Sequence, residues 1–149
     1  MNASFRPAQA ADLDAVVLIE AAWPSAAGWS RRQFEAELSE RGAKRSVFLV
    51  AENDMIVAGH AVAWLVEEEV QILDIAVHKA MVRVGVGRIL LEGLLGAAKA
   101  AGCRRATLEV SEANPAARSL YESSGFAVVG RRARFYEDGS DALLMDKAL

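Results

Sequence analysis

A chain of 149 residues, 53% of them apolar and with a formal net charge of −3, has room for one domain with a substantial core and none for a second. The acidic balance speaks against a nucleic-acid binder, which concentrates Lys and Arg. A single cysteine, Cys103, excludes an intramolecular disulfide and a cysteine-ligated metal cluster, as expected in a reducing cytoplasm.

Residues 4–7 predict a short first strand, and Asp12 caps a helix to about residue 22, with Leu13, Val16, Val17 and Glu20 spaced around its surface. Asp12 and Asp14 precede any long apolar run, so no ordinary signal peptide is expected. After a loop, Ser30-Arg31-Arg32-Gln33 is a capping-box sequence opening a second helix on which Phe34 and Leu38 share a face. Residues 47–51 and 56–66 flank a turn at Asn53-Asp54 and read as a hairpin. Its second arm lies in the longest apolar stretch, residues 55–66, which Gly59 and His60 interrupt, so no membrane span is expected. Glu67-Glu68-Glu69 ends the hairpin as a solvated acidic tip. Residues 70–77 form the next strand, and beyond a glycine turn Ile89, Leu90, Leu91, Leu94, Leu95, Ala97 and Ala98 recur with helical spacing to about Gly102. Residues 106–110 follow as a strand, and strand, helix, strand implies parallel pairing. Asn114 with Pro115 behind it starts a helix to about residue 124, stopped before Gly125, and strands over 126–133 and 142–146 close the chain.

The turn Val82-Arg83-Val84-Gly85-Val86-Gly87-Arg88 carries the strongest chemistry. The first N–H groups of the helix it opens lack intrahelical partners and form the positive end of the helix dipole, so an anion is held there without a dedicated cation. Gly85 and Gly87 remove side chains that would keep a phosphate from the backbone. A dinucleotide fingerprint would need a third glycine where Leu90 stands, and a triphosphate loop would need Gly-Lys-Ser or Gly-Lys-Thr, which the chain lacks. The remaining spacing resembles the acyl-CoA loop of the GNAT (GCN5-related) N-acetyltransferases, Gln/Arg-x-x-Gly-x-Gly/Ala, with Val82 standing where the family usually has Gln or Arg.

Leu108-Glu109-Val110, Asn114-Pro115-Ala116-Ala117, Leu120-Tyr121-Glu122 and Gly125-Phe126 follow in the order and spacing of the RimI group within that family. Gly28-Trp29-Ser30 resembles its Pro-Trp-Ser, and Arg132 to Tyr136 with Asp141-Ala142-Leu143-Leu144-Met145 resembles its basic-aromatic segment and final strand. The resemblance implies an α/β (α+β) GNAT acyl-CoA N-acyltransferase fold, a mixed twisted sheet of about seven strands flanked by about four helices. It also implies an acetyl-CoA-dependent enzyme that acetylates the N-terminal alanine of small-subunit ribosomal protein eighteen. A monomer or weak dimer is expected, without nucleic acid or membrane as partner.

Strand alternation turns Thr107 and Glu109 away from the face that Leu108 and Val110 share. Glu109 is then either salt-bridged, to an arginine such as Arg104 or Arg105, or a working carboxylate. The resemblance implies the general base, a role that partial withdrawal from water would strengthen. Tyr121 reads locally as a core residue with its hydroxyl at the surface. The resemblance makes it the proton donor to the departing CoA thiolate and a contact of the cofactor. Asn114 is a helix cap and, by resemblance, a partner of the CoA arm. The resemblance likewise gives Ile75, Ala76 and Val77 backbone contacts to pantetheine, and Arg83, Val84, Gly85, Val86, Gly87 and Arg88 the pyrophosphate. Trp29, Glu69, Arg132 and Tyr136 are implied to border the acceptor peptide, although Ala133, Arg134 and Phe135 depart from the family's Arg-Arg-Asn-Tyr-Tyr. His60 and His78 stand too isolated in sequence for a metal site, and Cys103 has no neighbouring histidine to make it a nucleophile. The same fold and cofactor could serve a lysine or small-molecule amine, and a CoA-binding module without catalysis is the reading of another class.

Overall fold

The computed structural model describes residues 3–23, 28–82 and 84–149. In chain order these form β1 (Ala3–Pro7), α1 (Leu13–Ala21), α2 (Arg31–Leu38), β2 (Ser46–Asn53), β3 (Ile56–Val66), β4 (Glu69–Val77), α3 (Val86–Ala100), β5 (Arg105–Ser111), α4 (Pro115–Ser123), β6 (Ala127–Arg132) and β7 (Ala142–Ala148). One seven-stranded sheet runs in the order β1-β2-β3-β4-β5-β7-β6. The predicted parallel pair is β4 with β5, and all other neighbours are antiparallel.

Local chemistry explains most element boundaries. Ser30 accepts the Gln33 N–H at 3.3 Å and Gln33 Oε1 accepts the Ser30 N–H at 2.8 Å, so the capping box opens α2 as expected. Asn114 Oδ1 accepts the Ala117 N–H at 3.2 Å and Pro115 occupies the first position of α4. The β2–β3 turn is centred one residue later than the sequence suggests: Asp54 and Met55 carry positive φ, the conformation a tight hairpin of this twist requires. Asp12 does not cap α1. Its carboxylate instead accepts two guanidinium N–H bonds from Arg6, at 2.8 and 2.7 Å, and the Gln9 N–H at 2.7 Å, because a partly buried anion gains more from a charged fork than from one amide.

Apolar residues fill both faces of the sheet. On one side Leu90, Leu91 and Leu94 of α3 pack with Leu108, Tyr121 and Met145; on the other, Val16 of α1 and Phe34 of α2 pack with Phe48, Val50 and Val62. A bulge in β4 serves both. Val62 pairs with Asp74 and Ala63 with Ile72, which leaves Leu73 as the extra residue. Val70 and Ile72 before it, and Ile75 and Val77 after it, belong to the α3 side, whereas Leu73 packs on the α1–α2 side.

Candidate active site

β4 and β5 pair over only four residues each, Glu69 to Ile72 against Arg105 to Leu108. Beyond them β5 stays with β7 and β4 stays with β3, so the sheet splits and leaves a cleft of about 1190 Å³. Its walls bring together Glu69, Ile75, Glu109, Asn114, Tyr121 and Tyr136 from the candidate set, along with Asp74. The His78 N–H bonds to the Ala58 carbonyl at 2.7 Å. That bond sets the ladder's alternation: Ala76 exchanges bonds with His60, while Ile75 and Val77 turn their N–H and C=O groups toward the split. Trp23 Nε1 already donates to the Val77 carbonyl at 2.7 Å, which leaves the Ile75 groups and the Val77 N–H to meet a ligand.

The glycine turn follows β4 in the chain and stands outside the residues that line the cleft. Gly85, with φ of +86°, is the N-cap of α3, a conformation that costs glycine nothing. The first backbone bond of the helix runs from Ile89 N–H to the Gly85 carbonyl at 3.1 Å, so the N–H groups of Val86, Gly87 and Arg88 have no acceptor within it. Val86 is buried and offers only its backbone; Val84 is exposed. Arg88 donates to Ser123 Oγ of α4 at 2.7 Å, tying the turn to that helix. Arg83 lies outside the described residues. A Cβ built on Gly87 would meet Leu120 Cδ2 at 3.3 Å and Val77 Cγ2 at 3.8 Å, so this glycine keeps the space between α3, α4 and β4 open. An extended thioester with a pyrophosphate fits this combination of free strand amides, helix N-terminus and open cleft.

Glu109 is exposed on β5 and pairs with Arg132 of β6, Nη2 to Oε1 at 3.3 Å. The salt-bridge partner is thus neither Arg104 nor Arg105, and Arg105 pairs with Asp146 instead. The desolvation expected of Glu109 is not its state in this structure; Arg132 and water face it. Arg132 also covers the Phe135 ring at 5.6 Å. Tyr136 is half-buried near Glu109, and burial together with that carboxylate raises its pKa. Tyr121 is buried, edge-on to Phe126 at 5.9 Å. Burial, then the charge of Asp74, pushes its phenol upward, so it holds its proton at neutral pH. Trp29 is not brought to the cleft: its ring packs on Phe34 at 5.3 Å. Arg131, bonded to Glu112 and Asp141 at 2.6 and 2.8 Å, is occupied structurally. Burial, then Glu68, raises the Cys103 thiol, which keeps it protonated in the core.

Glu20 does not lie on the surface of α1, and His60 is isolated only in sequence. Folding buries Glu20, His60 and Asp74 together, with their ligand-type atoms within 4.8 Å of one another. His60 Nε2 meets Glu20 Oε1 at 3.0 Å, and Glu20 Oε2 accepts the Gly28 and Trp29 N–H groups at 3.0 and 3.1 Å. Asp74 Oδ2 lies 3.3 Å from the same nitrogen but, like His60 Nδ1, has no directed hydrogen bond. The available signal was one acid or histidine inside each of three apolar runs.

Burial pushes Asp74 up to about 7, assisted by Glu20 and opposed by His60. Burial works against the Glu20 carboxylate too, yet His60, Asp74 and the Trp29 N–H hold it down at about 2. For His60 burial lowers the pKa, but Asp74 and Glu20 outweigh it and the net shift is upward. The Glu20 contribution is full above 4.5 and lost as pH falls through about 2, while that of His60 is full below 6.5 and lost as pH rises through its folded value. Asp74 becomes a buried charge as pH rises through about 7. The urea midpoint is therefore expected to be higher near about pH 5.5 than near about pH 8.5. His60→Ala, which leaves two buried carboxylates without their cation, should cost about 3–5 kcal/mol near neutral pH, read from the same urea titration.

The chain's likeness to known proteins agrees with this geometry. The family model described as "Acetyltransferase (GNAT) family" matches residues 14–126. The ribosomal protein bS18-alanine N-acetyltransferase of Escherichia coli is 35% identical over 120 residues, 78% of each chain. The crystal structure of the Escherichia coli ribosomal-protein-S18-alanine N-acetyltransferase superposes with a TM-score of 0.84 at 30% identity, covering 98% of this chain and 93% of that one. The Salmonella typhimurium protein yncA, solved with its cofactor acetyl-CoA, superposes with a TM-score of 0.85 over 100% of this chain and 95% of its own. At 24% identity it speaks for the fold alone.

Proposed function

The chain belongs to the GNAT acetyltransferase family, and on that footing we propose that it acetylates the α-amine of a protein N-terminus, an alanine of a small-subunit ribosomal protein, in the cytoplasm. The observation that carries the reading is the parting of β4 and β5, which opens a cleft lined by Glu109 and Tyr121, with the N-terminal turn of α3 tied through Arg88 to Ser123 of α4, the helix that carries Tyr121. The identity to the Escherichia coli bS18-alanine enzyme supports the acceptor. Bound acetyl-CoA would supply an activated acetyl thioester. The amides of Val86, Gly87 and Arg88 would hold its pyrophosphate, and Ile75 and Asn114 its arm.

An α-amine is largely protonated at neutral pH, with a pKa of about 8. Glu109 takes the ammonium proton directly or through water, with Arg132 fixing the carboxylate's direction. The freed nitrogen attacks the thioester carbonyl, whose growing negative charge strand amides stabilise. Tyr121 gives its proton to the leaving sulfur. Glu69 at the cleft and its neighbours Glu67 and Glu68 provide acidic surroundings for a basic ribosomal tail.

The test is a set of alanine-initiated ribosomal peptides containing lysines, assayed with the α-amine free and chemically blocked. The free peptide is expected to gain one acetyl group on its first residue and the blocked one none. Acetylation of the blocked peptide on lysine would overturn the assigned acceptor in favour of side-chain acetylation.

A further inference from the structure

Of the buried polar or charged residues among those described, Asp12, Glu20, Glu37, His60 and Asp74, only Asp74 also lines the cleft. It comes directly after the β4 bulge, beyond the last residue of β4 paired with β5. Its buried Oδ2 faces His60 Nε2 at 3.3 Å without a directed hydrogen bond. Behind it stand His60 of β3 and Glu20 of α1. Tyr121 of α4 lines the same cleft, as does Glu109 from the β5 wall, the latter paired with Arg132. Burying an acid is costly even beside a histidine, and the steps assigned to Glu109 and Tyr121 leave Asp74 unused.

We propose that Asp74 is a second proton acceptor of the acetyl transfer, serving the acceptor nitrogen from the β4 wall while Glu109 serves it from the β5 wall. The inference rests on the acetyl-transfer reading. An ammonium loses two protons on becoming an amide. The first goes to Glu109 and on to solvent, freeing the electron pair that forms the C–N bond. The second leaves as that bond forms and the C–S bond breaks: the N–H pair stays on nitrogen and the proton lands on the Asp74 carboxylate. Sulfur departs with the Tyr121 proton, and the proton on Asp74 restores the phenol, so amide, thiol and one released proton balance the reaction. Burial and Glu20 hold the Asp74 carboxyl near 7, where a group both accepts and returns a proton readily. Its charge raises the Tyr121 phenol, and both residues line the cleft through which the proton would return.

Glu20 and His60 act on Asp74 from behind and are positioning residues, which gives the test a readout that packing would not imitate. The measurement is the pH dependence of kcat, with a free-amine peptide and saturating acetyl-CoA. Asp74→Asn should lower kcat by roughly tenfold or more while leaving the KM for acetyl-CoA unchanged. Glu20→Gln removes a negative neighbour and should move the acid limb to lower pH; His60→Gln removes a positive one and should move it to higher pH. In the Asp74→Asn background neither substitution should move it. Wild-type kcat and profile in Asp74→Asn, or the same direction of shift in Glu20→Gln and His60→Gln, would overturn the inference while leaving the acetyl-transfer reading intact. A wild-type protein that acetylates no amine would sink both. Should Asp74→Asn fail to fold, the opposed shifts of the other two variants decide the question alone.

Discussion

Glu109→Gln should lower turnover by about a hundredfold near neutral pH and regain part of the loss above roughly pH 8, where the acceptor amine deprotonates itself. The substitution keeps the side chain's size and its reach toward Arg132 but removes the acceptor of the first proton. Tyr121→Phe should fail differently. The ring keeps its packing against Phe126, so acetyl-CoA binding persists, but sulfur must leave without a donor and alkali brings little recovery. Rate profiles of both variants with a saturating peptide check the pair. Wild-type rates across the range would return Glu109 to an ion-pair role and Tyr121 to the core.

Gly87→Glu should weaken acetyl-CoA binding by about a hundredfold or more while the protein remains folded. Its Cβ would sit between Leu120 and Val77, at the mouth of the amides that would hold a pyrophosphate. The contact with Leu120, at 3.3 Å, is with the end of a side chain that can move by a few tenths of an ångström. A glutamate in the first turn suits the helix dipole, so the fold gains a little where the cofactor loses. Gly85→Glu is the poorer probe, because the positive φ of Gly85 adds backbone strain to the charge. Calorimetry with acetyl-CoA, alongside circular dichroism, separates the effects; undiminished affinity in folded Gly87→Glu would make the glycine turn only a connection.

What the sequence discloses about this fold is whatever short-range chemistry decides. The Ser30 and Asn114 caps, the hairpin and the parallel β4–β5 crossover follow from residues a few positions apart, and all form. The glycine turn is equally local, since a left-handed N-cap before a helix needs glycine. The cleft depends on pairings that cross the chain. That β4 and β5 stop pairing after Ile72 and Leu108, and that Leu73 is a bulge, leaves no mark on composition. Glu109 illustrates the same limit: strand alternation correctly turns it out of the core, but its partner Arg132 comes from a strand reached only through β7. Trp29, which the resemblance places at the acceptor site, folds onto Phe34, where an apolar neighbour on α2 competes for its ring. Glu20, His60 and Asp74 are separated by 40 residues between the first two, and only the packing of α1 across β3 and β4 brings them together.

The most direct test of acetyl transfer in this cleft is mass spectrometry on a single quenched time course, with acetyl-CoA and an alanine-initiated peptide added to the protein. Direct transfer predicts one acetyl group on the peptide's α-nitrogen, free thiol released in equal amount, and no mass gained by the protein at any time. Thiol released without acetyl-peptide, or an acetyl group lodged on Cys103 before the peptide is modified, would contradict it.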